Sequence, residues 1–276
     1  MKRIKDKWGV GGGAPQWRGD FFRDLRLMRK EVYGVILAGG KSSRYHRLHH
    51  KYLDIYKGKE IILHVFEAIS PVVDRVILVV GKDNRDVKAL FKGKDNILYA
   101  VQEEPLGTGH ALLSTADYLE NRDAIIVVSF ADKPLVTTHT FSLLLEKHLQ
   151  SGAEITFAVA HLPDPGKKGR IIRKNGKFVD IVEYLDADEE TRKIKEIHAG
   201  YLCCYSRSIF KMLRLLDNQN AQGEYYLTKV YSLFLKNGYK VETVEISPEE
   251  SYDINTVSQL ENLDKWREKI RKLSGR

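Results

Sequence analysis

Cysteine is almost missing from this 276-residue sequence, and the two that occur, Cys203 and Cys204, are adjacent. Adjacent cysteines have neither CxxC spacing nor the number for a disulfide framework, which sets redox and thiolate–metal chemistry aside. In an apolar strand one of the two faces the core and the other the opposite side. No apolar run approaches the ~20 residues a membrane span needs. The N-terminus lacks the apolar stretch of a signal peptide, so a cytoplasmic protein without a membrane partner is expected. There is no repeat of 20–50 residues and no hexapeptide repeat of a left-handed β-helix. Nucleic-acid-binding motifs are absent too. The net charge of +8 therefore reads as a solvated basic surface that attracts phosphate-rich small substrates, with no nucleic acid as partner.

Half of that charge sits in residues 1–27, with seven Lys/Arg against three Asp/Glu. This stretch also holds Gly11-Gly12-Gly13-Ala14-Pro15, Trp8 and Trp17. It is expected to be a flexible basic extension, the globular domain running over 28–276 from near Met28. From there strand and helix patterns alternate. Val32–Ala38, Arg75–Val80, Ile97–Val101 and Ala124–Ser129 are short β-branched runs, as buried parallel strands are. Helices are expected over Glu60–Ser70, Asn84–Phe91 and Thr108–Leu119, and around Phe141–Leu149 with a stop at Gly152. Beyond Glu154, strands at 154–160, 170–174 and 178–183, with Asn175-Gly176 as a turn, suit a small antiparallel extension. A last amphipathic helix spans about Val257–Lys272. The fold class is α/β: a doubly wound, mostly parallel, Rossmann-like sheet with that extension.

Four strings carry chemistry. Leu37-Ala38-Gly39-Gly40-Lys41-Ser42-Ser43-Arg44 follows the first strand. It is neither a Walker A loop nor a GxGxxG fingerprint, but its glycines let backbone N–H groups approach phosphate, and Lys41 and Arg44 can neutralise it. Lys51, seven residues on, is a candidate cation for charge that builds during displacement at phosphorus. Gln102-Glu103-Glu104-Pro105-Leu106-Gly107-Thr108-Gly109-His110-Ala111 joins a strand to a helix. The Gln102 amide can read a pyrimidine edge. Asp132, in Phe130-Ala131-Asp132-Lys133-Pro134-Leu135, lies just past the carboxyl end of a strand, where open α/β sheets place ligands, and a carboxylate there suits Mg²⁺. Taken singly, each has a plainer reading: a glycine turn, a surface lysine, a helix N-cap at Thr108, a turn aspartate. His46, His49 and His50 read as surface histidines and not as a metal cluster.

Together the strings resemble the uridyltransferase domain of the bacterial N-acetylglucosamine-1-phosphate uridyltransferases, from about Tyr33 to Asp264. The likeness also rests on Gly169-Arg170-Ile171, Ile181-Val182-Glu183 and Asn220-Ala221-Gln222-Gly223-Glu224-Tyr225-Tyr226, in that order. Asp253-Ile254-Asn255-Thr256 stands where the family has its metal-binding asparagine. The resemblance implies a nucleotidyltransferase domain over 28–276 that uses UTP and a sugar 1-phosphate. It implies nucleotide contacts from Leu37, Ala38, Gly39, Gly40, Gln102, Gly107 and Thr108, and catalytic roles for Arg44 and Lys51 on the triphosphate. Asp132 and Asn255 would hold Mg²⁺; Gly169, Glu183, His198, Glu224 and Tyr226 would line the sugar-phosphate site. The chain has no counterpart of the β-helical acetyltransferase half, so acetyl transfer is not expected.

Five places depart from the family pattern, one of them Lys229, where an aspartate is common. Ser42-Ser43 replaces Gly-Thr, His50 replaces a proline, and Pro105 replaces a frequent glutamine. His198-Ala199-Gly200 replaces Asn-Thr-Gly, and imidazole cannot reproduce both hydrogen bonds of an amide. The identity of the sugar therefore stays open. A molybdenum-cofactor-type nucleotidyltransferase shares the LAGGKSSR loop but not the NAQGEYY and GTGHA strings. A catalytically silent nucleotide-sugar-binding regulator would lack the cationic and metal-binding residues present here. A metal-dependent glycosyltransferase would show Asp-x-Asp where this chain has Asp132-Lys133-Pro134.

Overall fold

The computed structural model describes residues 30–40 and 50–273, so the expected extension over 1–27, the boundary at Met28, and Arg44 lie outside the described residues. One sheet contains β1 (Glu31–Ala38), β2 (Arg75–Val80), β3 (Ile97–Val101), β4 (Ala124–Phe130), β5 (Ile155–His161), β6 (Arg170–Lys174), β7 (Lys177–Val182), β8 (Glu196–Tyr205) and β9 (Val241–Glu245). In space the order is β9-β5-β8-β4-β1-β2-β3, and the β6–β7 hairpin hangs from β8. β1 runs parallel to β2 and β4, and β2 to β3. The chain thus winds outward from β1 to one side, then crosses to β4 on the other, leaving a switch point at the carboxyl end of β1.

The sheet is covered on both faces, as continuous apolar strands require. Ile36, Leu78, Val127 and Cys203 belong to one buried layer; Val35, Ile77, Val128 and Cys204 belong to the other. Both thiols are fully buried, and burial pushes both well above the ordinary thiol range. A third, smaller core packs Tyr56, Ile61, Tyr252, Ile254 and Leu263, and fixes the C-terminal segment beside the switch point.

Three expectations are corrected. The antiparallel extension is only the β6–β7 hairpin, turned at Asn175 (φ 51°) and Gly176 (φ 74°). β5 instead lies in the main sheet, parallel to β9 and antiparallel to β8. The helix expected over Thr108–Leu119 is two, Thr108–Leu113 and Ala116–Leu119. At the break the buried Thr115 hydroxyl donates to the Leu112 carbonyl at 2.7 Å, a side-chain bond that competes with the helical ladder. The last helix breaks likewise at Asn262, whose amide donates to the Ser258 carbonyl at 2.9 Å.

His148, on the helix Thr138–Ser151, is fully buried. Its Nδ1 lies 3.2 Å from the Thr156 hydroxyl, and Nε2 has no partner among the described residues. Burial, with a smaller contribution from Lys30, lowers its pKa to about 4. The unfolded chain takes this proton near pH 6.5, so the neutral ring contributes stability above that pH that is lost as pH falls towards 4. The loss amounts to about 2 kcal/mol at pH 5. His148→Leu is expected to flatten the fall in Tm between pH 7 and 5 by several degrees. Parallel pH–Tm curves for the two proteins would reject this account.

Candidate active site

A cleft of about 740 Å³ opens at the carboxyl ends of β1 and β4, the switch point of the sheet. Leu37, Ala38, Gly39 and Gly40 form one wall, and Gln102, Gly107 and Thr108 the next. Gln102 is buried, and its Nε2 donates to the Gly107 carbonyl at 3.0 Å and lies 3.2 Å from His110 Nδ1. A carbonyl can only accept, so this bond fixes the amide and leaves Oε1 turned toward Gly39. Gly107 (φ 117°), not Thr108, occupies the N-cap position. A Cβ there would stand 2.8 Å from Tyr225 N and O, so only glycine fits. The Thr108 hydroxyl accepts from the Leu227 amide at 3.0 Å and joins this wall to the NAQGEYY segment.

On the cleft floor Lys51 Nζ donates to Asp132 Oδ2 at 2.5 Å and to Asn255 Oδ1 at 2.7 Å. Asp132 is set by the end of β4, and its carbonyl accepts from the Ile254 amide at 2.9 Å, which docks the C-terminal segment. Asn255 is held by Gln259, whose Oε1 accepts from its amide at 2.7 Å, beside the capping box of Thr256. A hard divalent cation fits here. Asp132 Oδ1 is buried with no partner among the described residues, the Asn255 oxygen is close by, and all donors are oxygen. Among the described residues no group of three or more His, Cys, Asp or Glu could hold a metal, so such an ion would rely on water and phosphate oxygens for its remaining ligands. His50, the one described member of the histidine trio, stacks on Tyr52.

The opposite end holds Gly169, Glu183, His198 and Glu224. Burial raises the Glu183 carboxyl, against the Thr228 hydroxyl that donates to it at 2.7 Å. Burial, then Lys133 and Lys168, push His198 down to about 3, so its ring is neutral. His198 Nε2 lies 2.8 Å from the Tyr231 hydroxyl. Tyr226 stands back from the cleft, buried, its hydroxyl accepting from Gln222 at 2.9 Å. Sequence reasoning missed Lys133, Lys168 and Asp253, which also line the cleft. Burial drags Lys133 down to about 8, while against desolvation Lys168, Lys133 and Lys51 hold the half-buried Asp253 carboxyl far below its usual range.

The MobA-like NTP transferase domain model matches residues 34–233. The chain belongs to that family. It is 38% identical over 242 residues to the bifunctional protein GlmU of Geobacillus sp. (strain WCH70), covering 86% of this chain and 52% of that protein. It is 40% identical over 216 residues to the Lactobacillus gasseri protein of the same name, covering 78% and 46%. The chain thus spans about half the length of these relatives. It superposes on a structure described as a glucose-1-phosphate thymidylyltransferase from Bacillus anthracis. That match has a TM-score of 0.71 at 21% identity, covers 85% of this chain and 94% of the other, and bears on the fold alone. Among the described residues no helix of the NTP transferase domain is long and apolar enough to cross a membrane.

Proposed function

We propose that this domain transfers a uridylyl group from UTP to a sugar 1-phosphate, N-acetylglucosamine 1-phosphate first among candidates, and releases pyrophosphate. The observation that carries this reading is the fixed Gln102 amide lining one cleft with Lys51, Asp132 and Asn255. With Nε2 committed to Gly107, Oε1 is left to accept. Uracil N3 carries a hydrogen to give, whereas cytosine N3 is itself an acceptor, so an amide oxygen opposite N3 favours the first over the second. The glycine turn brings backbone N–H groups to the triphosphate, with Arg44 and Lys51 as its cations.

Asp132 and Asn255 would hold Mg²⁺, which supplies charge neutralisation on the triphosphate when bound. The remaining work is alignment. A sugar-phosphate oxygen attacks the α-phosphorus, the bond to the bridging oxygen of the β-phosphate breaks, and pyrophosphate departs with that electron pair. No protein nucleophile is required. The neutral His198 and the Glu183–Thr228 pair would select the sugar, through imidazole in place of an amide.

Pyrophosphate release with Mg²⁺ should be measured over UTP, dTTP, GTP and CTP against N-acetylglucosamine, glucose and galactosamine 1-phosphates. UTP is expected to exceed CTP by at least about a hundredfold in kcat/KM, the cost of an unpaired or repelled buried polar group. Preference for GTP or CTP would instead favour the molybdenum-cofactor-type reading. UTP binding without release from any pair would favour a silent regulator.

A further inference from the structure

Behind the Lys51 pair runs a second set of charges that the transferase reading leaves without work. Asp253 Oδ1 is ion-paired with Lys168 Nζ, and Oδ2 accepts from Asn255 Nδ2 at 2.6 Å. Lys168 donates to the Ser251 carbonyl at 2.9 Å, and Lys133 Nζ to the same carbonyl at 3.1 Å. Among the described residues this is the one hydrogen bond of the Lys133 ammonium, which has three N–H groups to give. The connected groups hold three ammoniums (Lys51, Lys133, Lys168) and two carboxylates (Asp132, Asp253), so one positive charge lacks a counterpart within the set.

The fold builds this arrangement deliberately. Lys133 is 5% exposed yet lines the cleft. Its stem passes through a lane that Gly200 (φ 90°) keeps open, since a Cβ there would stand 2.4 Å from Lys133 Cε. Lys168 is presented by a loop whose carbonyls are gathered by the buried Arg170, at Gly166 (2.8 Å) and at Lys168 itself. Both lysines adjoin the His198 end: Gly200 lies two residues beyond His198, and the His198 amide donates to the Gly169 carbonyl at 3.1 Å. A buried ammonium with spare donors and no carboxylate within hydrogen-bond distance among the described residues is costly unless an anion completes it.

We infer that Lys133 and Lys168 bind the phosphate of the acceptor, drawing a monoester dianion towards a triphosphate that would otherwise repel it. The identity of the acceptor rests on the transferase reading above; the anion site rests on the lysines. Lys133→Met and Lys168→Gln test it by isothermal titration, on full-length protein holding Mg²⁺ and a non-hydrolysable UTP analogue. The titrants are N-acetylglucosamine 1-phosphate, glucose 1-phosphate and inorganic phosphate, with unphosphorylated N-acetylglucosamine as control. A phosphorylated titrant is expected to bind wild type, and each variant at least about tenfold more weakly, as for a lost charge-assisted bond. Affinity for the UTP analogue should stay within about twofold, and Lys168→Arg should recover most of the loss.

Thermal melts identify a variant that fails to fold, and the other variant then decides. Unchanged affinity in a folded variant overturns the inference. So does equal loss for the UTP analogue, which would put the lysines on the triphosphate, and so does a wild type that binds no phosphorylated titrant. Failure of the transferase reading shows separately, as no pyrophosphate release by wild type, and leaves the titration to decide.

Discussion

Asp132→Ala is expected to lower the rate of pyrophosphate release by about a thousandfold in a protein that still folds, the scale seen when a principal charge-stabilising group is removed from a phosphoryl-transfer site. Two oxygens are lost together. Oδ2 accepts from Lys51 at 2.5 Å, and Oδ1 is the buried acceptor with no partner among the described residues, the position best suited to a divalent cation. The scaffold does not depend on the side chain. The bond that docks the C-terminal segment runs from the Ile254 amide to the Asp132 carbonyl, which alanine retains, and Lys51 keeps Asn255 Oδ1 at 2.7 Å. Asp132→Asn separates charge from shape, since an amide preserves the volume but loses the affinity of a carboxylate for a hard cation. It should fall nearly as far, and Lys51→Ala should fall comparably. Turnover within tenfold of wild type for Asp132→Ala, measured on protein shown to be folded by its melt, would remove Asp132 from the chemistry.

The parallel half of the sheet was legible because buried strands need apolar β-branched runs, and β1 to β4 lie where those runs fall. The opposite faces taken by Cys203 and Cys204 follow from the two-residue period of a strand in the same way. The antiparallel side was harder. β5 is buried on both faces from Ile155 to Ala160, and nothing local says whether its neighbour is the next hairpin or the distant β9. The breaks at Thr115 and Asn262 depend on single side-chain bonds to the preceding turn, which helical periodicity does not register.

The site divides along the same line. Gly39, Gln102, Gly107 and Asp132 sit at the carboxyl ends of strands or in the loops that leave them, where open α/β sheets place ligands, and the resemblance joined them into one site. Lys133 was passed over because a lysine beside a turn aspartate ordinarily points to solvent. Its burial is decided by the missing Cβ of Gly200, on a strand that the sequence reading drew only around Cys203-Cys204. Asn255 became credible through the resemblance. Its position in the structure depends on the small third core and the Thr256–Gln259 capping box, contacts made across most of the chain.

Gly39→Ala is expected to raise KM for UTP about 30- to 150-fold, with the acceptor KM changed far less. Gly39 is not in the left-handed region, so the substitution brings no backbone strain of that kind. Its effect is steric. A Cβ would stand 2.3 Å from Gln102 Oε1, closer than real contacts allow, and 3.2 Å from Gln102 Cβ, a tight contact. Gln102 is 3% exposed, and its Nε2 is tied to the Gly107 carbonyl and His110, so the amide can move aside only by breaking those bonds. A displaced buried amide that no longer offers its acceptor corresponds to about 2–3 kcal/mol, which gives the stated range in KM. A double-mutant cycle decides whether Gln102 is the mediator. Gln102→Ala should weaken UTP by a similar factor, and adding Gly39→Ala to it should do little more, because the group that the methyl displaces is already gone. Fully additive losses would show that Gly39 acts on the triphosphate through its own backbone, and would leave Gln102 as a brace for the Gly107 loop.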